Sequence, residues 1–304
     1  MSLGALPLCQ NPHRFPSINS NLAFQSLVPW YSISSPVGSS QLSRCLRKFS
    51  SSASASGSSW SLDLPLLPFQ INEVMIPSEN KTLHLYEARY LGLLEESLSK
   101  TKMFVHFVLD PVLSGISEFG TPYAAKYGCL VVIESVNRLE IGALVSIRGI
   151  SRVGIVKLTQ MEPYLKGLVL PILDNIADQE SELEKKLLEL TELIISLHNL
   201  QIRLKASKQE LLQTRTKNSI AWAQKDVFKD CDQSFIPKLA ERISFAALQP
   251  VSGMTDSELF ALQQEKLRAM DSTDTLERVN YCIQFTRNSI NMVAAKLAIQ
   301  SLET

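Results

Sequence analysis

The chain has 304 residues, enough for one large domain or two modest ones with a real core. Hydrophobic residues make up 45% and charged residues 20%, the balance of an ordinary globular protein, and no apolar run reaches the ~18 residues of a transmembrane helix. Formal net charge is zero but unevenly spread: residues 1–60 hold Arg14, Arg44, Arg47, Lys48 and no acid, which leaves 26 basic against 30 acidic residues from 61 onward. A mildly acidic body disfavours nucleic acid and anionic membrane as general partners.

The first sixty residues are rich in Ser and Ala, sparingly basic and free of acid, as in "SSPVGSSQLSRCLRKFSSSASASGSSW". No compact apolar stretch follows a basic start, so a secretory signal fits badly. The pattern is that of an organelle transit peptide, with chloroplast favoured over mitochondrion because arginine is scarce. Cleavage is expected between Arg47 and Ser59.

Residues 61–175 read as β-rich. "LHLY" (83–86) alternates and then gives way to Glu87-x-Arg89-Tyr90, where Tyr90, Leu91, Leu94 and Leu98 take up helical spacing over 87–100. The runs 102–110, 128–136, 142–150, 152–158 and 164–173 are short, β-branched and separated by Gly, Asn or Pro, which predicts a barrel or sandwich. "VNRLEIGALV" suggests two strands joined by a tight turn, with Asn137 and Gly142 as positions for positive φ.

Residues 176–304 read as helical. Leu183, Leu187, Leu190, Ile194, Leu197, Leu204 and Leu211 form a heptad seam broken by Gln201 and Lys208, which predicts one long helix over about 178–215. An intramolecular bundle is the expected use of the seam, with a homodimer through 183–211 as the alternative. Helices are also expected over 237–249, 251–270 and 271–302, the second capped by Thr255 or Asp256 with Glu258 in its first turn.

Chemistry-bearing motifs are missing from the sequence. No Gly-Lys pair exists, so no P-loop is present, and no GxGxxG, HExxH or GxSxG occurs. His13, His84, His106 and His198 are not spaced as ligands or a triad. The five cysteines, Cys9, Cys45, Cys129, Cys231 and Cys282, form no CxxC and read as free thiols. No metal or cofactor is expected. Residues 61–175 carry 10 basic and 12 acidic side chains without a basic stripe.

Read together, "LPLLPFQINEVMIPSENKTLHLYEARYLGLLEESL" (64–98) resembles the opening of the Lon protease N-terminal, or substrate-binding, domain. Leu64, Pro65, Leu66 and Pro68 match its first strand, and Leu83, Tyr86, Glu87, Arg89 and Tyr90 match its step into a helix. Pro77-Ser78 stands where the family has a Pro-Gly turn, a departure if that position needs positive φ. Further on, Gly149, Arg152, Glu162, Pro163 and Tyr164 match the family's Gly-x-x-Arg and acid-Pro-Tyr, and "ERISFAALQ" and "EKLRAMDSTDTLERVNYCI" are similar to its helical part. The resemblance runs over about 62–285.

The resemblance implies an α+β fold: a PUA-like β-barrel or sandwich with one covering helix, then a helical bundle. It marks Pro65, Pro68, Pro77, Glu87, Arg89, Tyr90, Gly149, Arg152, Pro163 and Tyr164 as structural motif residues, with no catalytic residue among them. Glu87 or Arg89 is expected to pair with a charge such as Arg152 and so fix the helix. The ATPase and Ser-Lys peptidase modules of full-length Lon are not expected in this chain. The implied function is a non-catalytic protein-binding module of the chloroplast stroma, holding client polypeptides or serving as adaptor to a separate protease or chaperone. A PUA-like RNA-binding protein, an unrecognised hydrolase and a purely structural role are the alternatives.

Overall fold

The computed structural model describes residues 61–111, 123–175, 180–204, 214–225 and 231–302. The strand-rich part comprises β1 (Leu62–Gln70), a 3-10 turn (Ile71–Glu73), β2 (Asn80–Leu85), α1 (Ala88–Ser99), β3 (Met103–Pro111), β4 (Tyr123–Arg138), β5 (Ala143–Gln160) and β6 (Leu165–Pro171). The sheet order is β2-β5-β4-β3-β1-β6, and β6 pairs back onto β5, so five strands close into a barrel with β2 attached outside the ring. Among the described strands only β1 and β3 pair in parallel. Closure depends on the length of β5: Ala143–Arg148 pairs with β2, Val153–Gln160 with β6, and β4 runs along Ala143–Val153. Register shifts between Leu130 and Val131, Ile133 and Ser135, and Ile155 and Lys157 mark the bulges that let so long a strand bend.

Two sequence expectations are corrected here. The runs 142–150 and 152–158 are one strand: Ser151 and Arg152, at the expected break, pair with Leu130 and Cys129 of β4, and Gly149 within it marks a close approach of backbone. A Cβ there would lie 2.2 Å from the Ile76 carbonyl oxygen. Asn137 lies inside β4 and is not among the positive-φ residues, whereas Gly142 is, with φ +84°.

The helix-rich part comprises α2 (Glu180–Leu204), α3 (Arg215–Ala223), a 3-10 turn (Gln233–Phe235), α4 (Leu239–Ala246), α5 (Asp256–Asp271) and α6 (Thr275–Leu302). Along α2, Leu183, Leu190, Ile194 and Leu197 are buried, and α6 packs along the same helix. Gln201, read as a polar break, is also buried and donates from Nε2 to Thr216 Oγ1 at 3.0 Å. The helix does not extend to 215. Thr214 is extended (φ −69°, ψ 156°), and its hydroxyl accepts from the Lys217 N–H as the N-cap of α3. Lys208 and Leu211 lie outside the described residues. At α5 the expected capping box is present, formed by Thr255 and Glu258.

One apolar cluster extends from Leu64 and Leu66 on β1 through Val105, Leu130 and Ile147 to Phe245 on α4 and Val279 and Ile283 on α6. The barrel and the helices therefore share a core. Leu190 and Ile194 belong to it, so Leu190→Asp and Ile194→Asp each bury an unpaired charge. Each change should lower the unfolding free energy by about 3 kcal/mol or more, read from urea melts, and neither should yield a well-folded monomer from a dimer.

His106 on β3 is buried, stacks on Phe69 with ring centroids 3.7 Å apart, and has no partner for Nε2 among the described residues. Burial, with Lys81 and then Lys266 nearby, pushes its pKa well below the usual 6.5. The unfolded chain takes up this proton near pH 6.5 and the folded chain only well below it. Stability should therefore be full above about pH 6.5 and fall as the pH drops beneath it. His106→Leu should flatten that loss between about pH 6.5 and 5 in urea titrations, while an unchanged slope assigns the acid sensitivity to other groups.

Candidate functional site

The motif residues do not converge on one site: Pro77, Gly149, Arg152 and Tyr164 pack into the frame, while Glu87 and Arg89 lie on the surface. Pro65 lies opposite Lys166 of β6, and Pro68 opposite Phe107 of β3. Pro77 and Ser78 form a turn clamped onto β5: the Ser78 N–H donates to Gly149 O and the Gly149 N–H to Glu79 O, each at 2.9 Å. Ser78 does adopt positive φ, +68°, which costs a side-chain-bearing residue about 1 kcal/mol. The serine offsets that cost with bonds glycine could not make. Its Oγ lies 2.6 Å from Ser219 Oγ, while its carbonyl, available in any residue, accepts from Arg148 Nη1 at 3.1 Å. The departure from Pro-Gly thus ties the turn to α3. Tyr164 lies over Gly92 of α1 and donates to Glu96, which also binds Lys166 at 2.8 Å and Lys100 at 2.7 Å. Burial opposes ionisation of Glu96, but Lys100, Lys166 and Tyr164 hold its pKa at about 2. Pro163 immediately precedes Tyr164 and follows Glu162 through a cis peptide bond.

Glu87 and Arg89 do not reach Arg152. They pair with each other at 2.6 Å on a half-exposed surface, and the Arg89 guanidinium lies 4.6 Å from the Tyr90 ring centre. Glu87 occupies the N-cap of α1 without a side-chain cap bond. The pair is two residues apart in sequence, so it forms locally, and local geometry outcompetes a distant partner.

Arg152 instead enters a buried group of four charges. Its Nη2 binds Asp174 and, at 3.0 Å, Glu241 on α4, while Nη1 donates to the Ser272 carbonyl at 2.6 Å. Arg278 on α6 binds Asp174 from the other side and donates from Nε to Ser244 Oγ at 2.7 Å. Both guanidinium groups lie near the Phe245 ring, 5.5 Å and 4.3 Å from its centre. Burial alone would raise the pKa of Asp174, but Arg278 and Arg152 draw it below its ordinary value. For Glu241 burial outweighs Arg152 and raises it. Two positive and two negative groups leave the cluster neutral, which is what makes it tolerable in the interior.

Of the exposed apolar residues that do converge, the motifs marked only Tyr86. Tyr86, Leu139 and Ile141 are 50%, 40% and 72% exposed and meet at one end of β2. The link is the β4–β5 turn. Leu139 N–H donates to Gly142 O at 3.0 Å, and the Ile141 carbonyl lies 3.1 Å from His84 Nε2. Gly142 allows the contact, since a Cβ there would lie 2.2 Å from Leu85 O. The His84 and Tyr86 rings are 5.6 Å apart. The only sequence signal was Tyr86 itself and an isoleucine placed before a turn glycine. Beside the patch Arg89 pairs with Glu87 and Arg138 with Glu95; at the far end of β2 Lys81 pairs with Glu73 and Arg148 with Glu134. Among the described residues Glu140 makes no ion pair.

Among the described residues no group of three or more His, Cys, Asp or Glu is placed to hold a metal. Burial pushes the thiol of Cys282 up to about 12, raises that of Cys129 further, and with Asp232 raises Cys231 to about 11. An open cleft of about 450 Å³ is lined by Leu62, Lys100, Lys102, Met103, Cys231 and Asp232, among others, and burial disfavours the Cys231 thiolate there.

Residues 63–227 match the family model of the ATP-dependent protease La (LON) substrate-binding domain. Two solved structures are similar. The Lon N-terminal domain protein from Xanthomonas campestris is 18% identical, with a TM-score of 0.38 over 73% of this chain and 98% of that one. The N-terminal domain of Mycobacterium avium complex Lon protease is 15% identical, with a TM-score of 0.40 over 74% of this chain and 98% of that one. No curated protein matches the chain.

The two kinds of charge pair predict different costs. Arg278→Ala leaves Asp174 buried beside a partly vacated site and should cost about 3–5 kcal/mol of stability in denaturant melts. Arg89→Ala removes a surface pair and should cost about 1 kcal/mol or less. Equal costs would contradict the division into buried frame and solvated surface.

Proposed function

Because the chain belongs to the Lon substrate-binding domain family, we propose that it is a non-catalytic polypeptide-binding module. The observation that carries the reading is the apolar patch of Tyr86, Leu139 and Ile141, fixed by the Gly142 turn and ringed by charge pairs that cancel. Apolar side chains held on a rigid turn supply affinity for apolar segments of another chain, and cancelled charges leave little preference for the partner's overall charge. A client segment exposed by incomplete folding offers that chemistry, as does a segment of a separate protease for which this protein would be an adaptor. The chloroplast stroma is the proposed compartment, with the mitochondrion as alternative, on the strength of the acid-free Ser-rich leader. The RNA-binding reading requires a basic face, and Arg89 and Arg138 beside the patch are already paired.

Fluorescence anisotropy with a labelled, permanently unfolded protein tests the reading. Wild type should bind, and the double change Tyr86→Asp with Ile141→Asp should weaken binding by about tenfold or more at an unchanged melting temperature. Binding that survives the double change would place the site elsewhere. Purified protein should turn over neither ATP nor casein; activity that follows it through successive columns would contradict a non-catalytic role.

A further inference from the structure

β2 ends the sheet. It pairs with β5 on one side, and among the described strands none lies on the other. The parity of its hydrogen bonds follows from the register. Asn80 is opposite Arg148, and the Gly149 N–H donates to Glu79 O just before that pair. In an antiparallel ladder this makes Asn80–Arg148 a non-hydrogen-bonded pair, so the next bonded pairs are Lys81–Ile147, Leu83–Val145 and Leu85–Ala143. The backbone N–H and C=O groups of Thr82 and His84 therefore point away from β5. The side chains of both are exposed, as is Tyr86, while Leu83 and Leu85 are buried. A free row of donors and acceptors thus runs directly into the apolar patch at the β4–β5 turn.

We propose that β2 receives an extended polypeptide segment as an added strand, whose backbone bonds to Thr82 and His84 and whose apolar side chain packs on Tyr86 and Ile141. This rests on the reading of the chain as a polypeptide-binding module and states how the segment is held. Backbone pairing tolerates many sequences, which suits a partner met in unfolded form. The site still selects in two ways. Side chains that continue the row of Leu83 and Leu85 are favoured if apolar, so alternation of apolar and polar residues is preferred. Glu140 makes no ion pair among the described residues, whereas the charges of Glu87, Arg89, Arg138, Glu95, Lys81 and Glu73 cancel in pairs. The local excess is one negative charge at the turn, so a basic residue is favoured at the end of the segment that lies beside Ile141.

The test uses the full chain and a fluorescent peptide of alternating valine and threonine with lysine at both ends. Two derivatives carry N-methyl groups, one on every valine and the other on every threonine. An added strand turns the backbone groups of only every second residue toward β2. One derivative should therefore lose about tenfold in affinity, as for two lost hydrogen bonds, and the other should stay close to the parent. Replacing the lysines by glutamates should weaken binding. Thr82→Pro removes an outward donor and spares the inward pairs with β5, so it should weaken the parent peptide while the protein keeps its melting temperature. If the parent binds, and Ile141→Asp weakens it, but both methylated peptides bind alike and Thr82→Pro has no effect, strand addition is wrong and polypeptide binding by the patch stands. If neither the peptide nor an unfolded protein binds, the functional reading itself falls.

Discussion

Arg152, Asp174, Glu241 and Arg278 meet in the interior, brought there by β5, the segment after β6, α4 and α6. No one of these charges could be buried alone, because the desolvation of a single ion costs several kcal/mol. Each is admitted only with the others in place. Arg152 also takes the carbonyls of Met270 and Ser272 at the end of α5, and Arg278 shares the Ser272 carbonyl at 2.9 Å. The cluster thus fixes where the helices meet the barrel. A second buried pair, Lys266 of α5 with Glu79 before β2, repeats the device at 2.6 Å across the same boundary. Hydrophobic burial supplies the bulk of the stability, but it is non-directional. The ion network sets which way the helical layer sits.

That boundary reaches the proposed binding edge. Glu79 accepts from Gly149 through its backbone and from Lys266 through its side chain, one residue before β2 begins. Ser78 is held by Ser219 of α3 and by Arg148. The start of the edge strand is thereby anchored to two helices, and its end to the Gly142 turn. An edge strand held at both ends costs little further conformational entropy when a partner pairs with it.

Much of the fold was legible because it follows from periodicity. The short apolar runs became strands, the seam of Leu190, Ile194 and Leu197 became a buried helix face, and Thr255 with Glu258 became a capping box. Gly142 took the positive φ its turn suggested, and Ser78 took it where the family has glycine. The misreadings share a cause. The runs 142–150 and 152–158 read as separate because a sequence does not show that Ser151 and Arg152 pair with β4 across the expected break. Arg152 was marked by motif, but its partners lie 22, 89 and 120 positions away at Asp174, Glu241 and the Ser272 carbonyl, distances that no local pattern encodes. The apolar patch was the least visible part. Tyr86 and Ile141 are unremarkable singly and become a surface only when the turn folds back on β2.

The central claim is that barrel and helices form one cooperative unit, held in register by the buried charges, and two native thiols report on it directly. Cys129 is buried on β4 and Cys282 on α6. Pulse alkylation across a urea series, with each cysteine quantified by mass spectrometry, measures the unfolding of the two parts in one sample. The account predicts coincident midpoints for Cys129 and Cys282. A Cys282 that becomes reactive at clearly lower urea while Cys129 stays protected would contradict it.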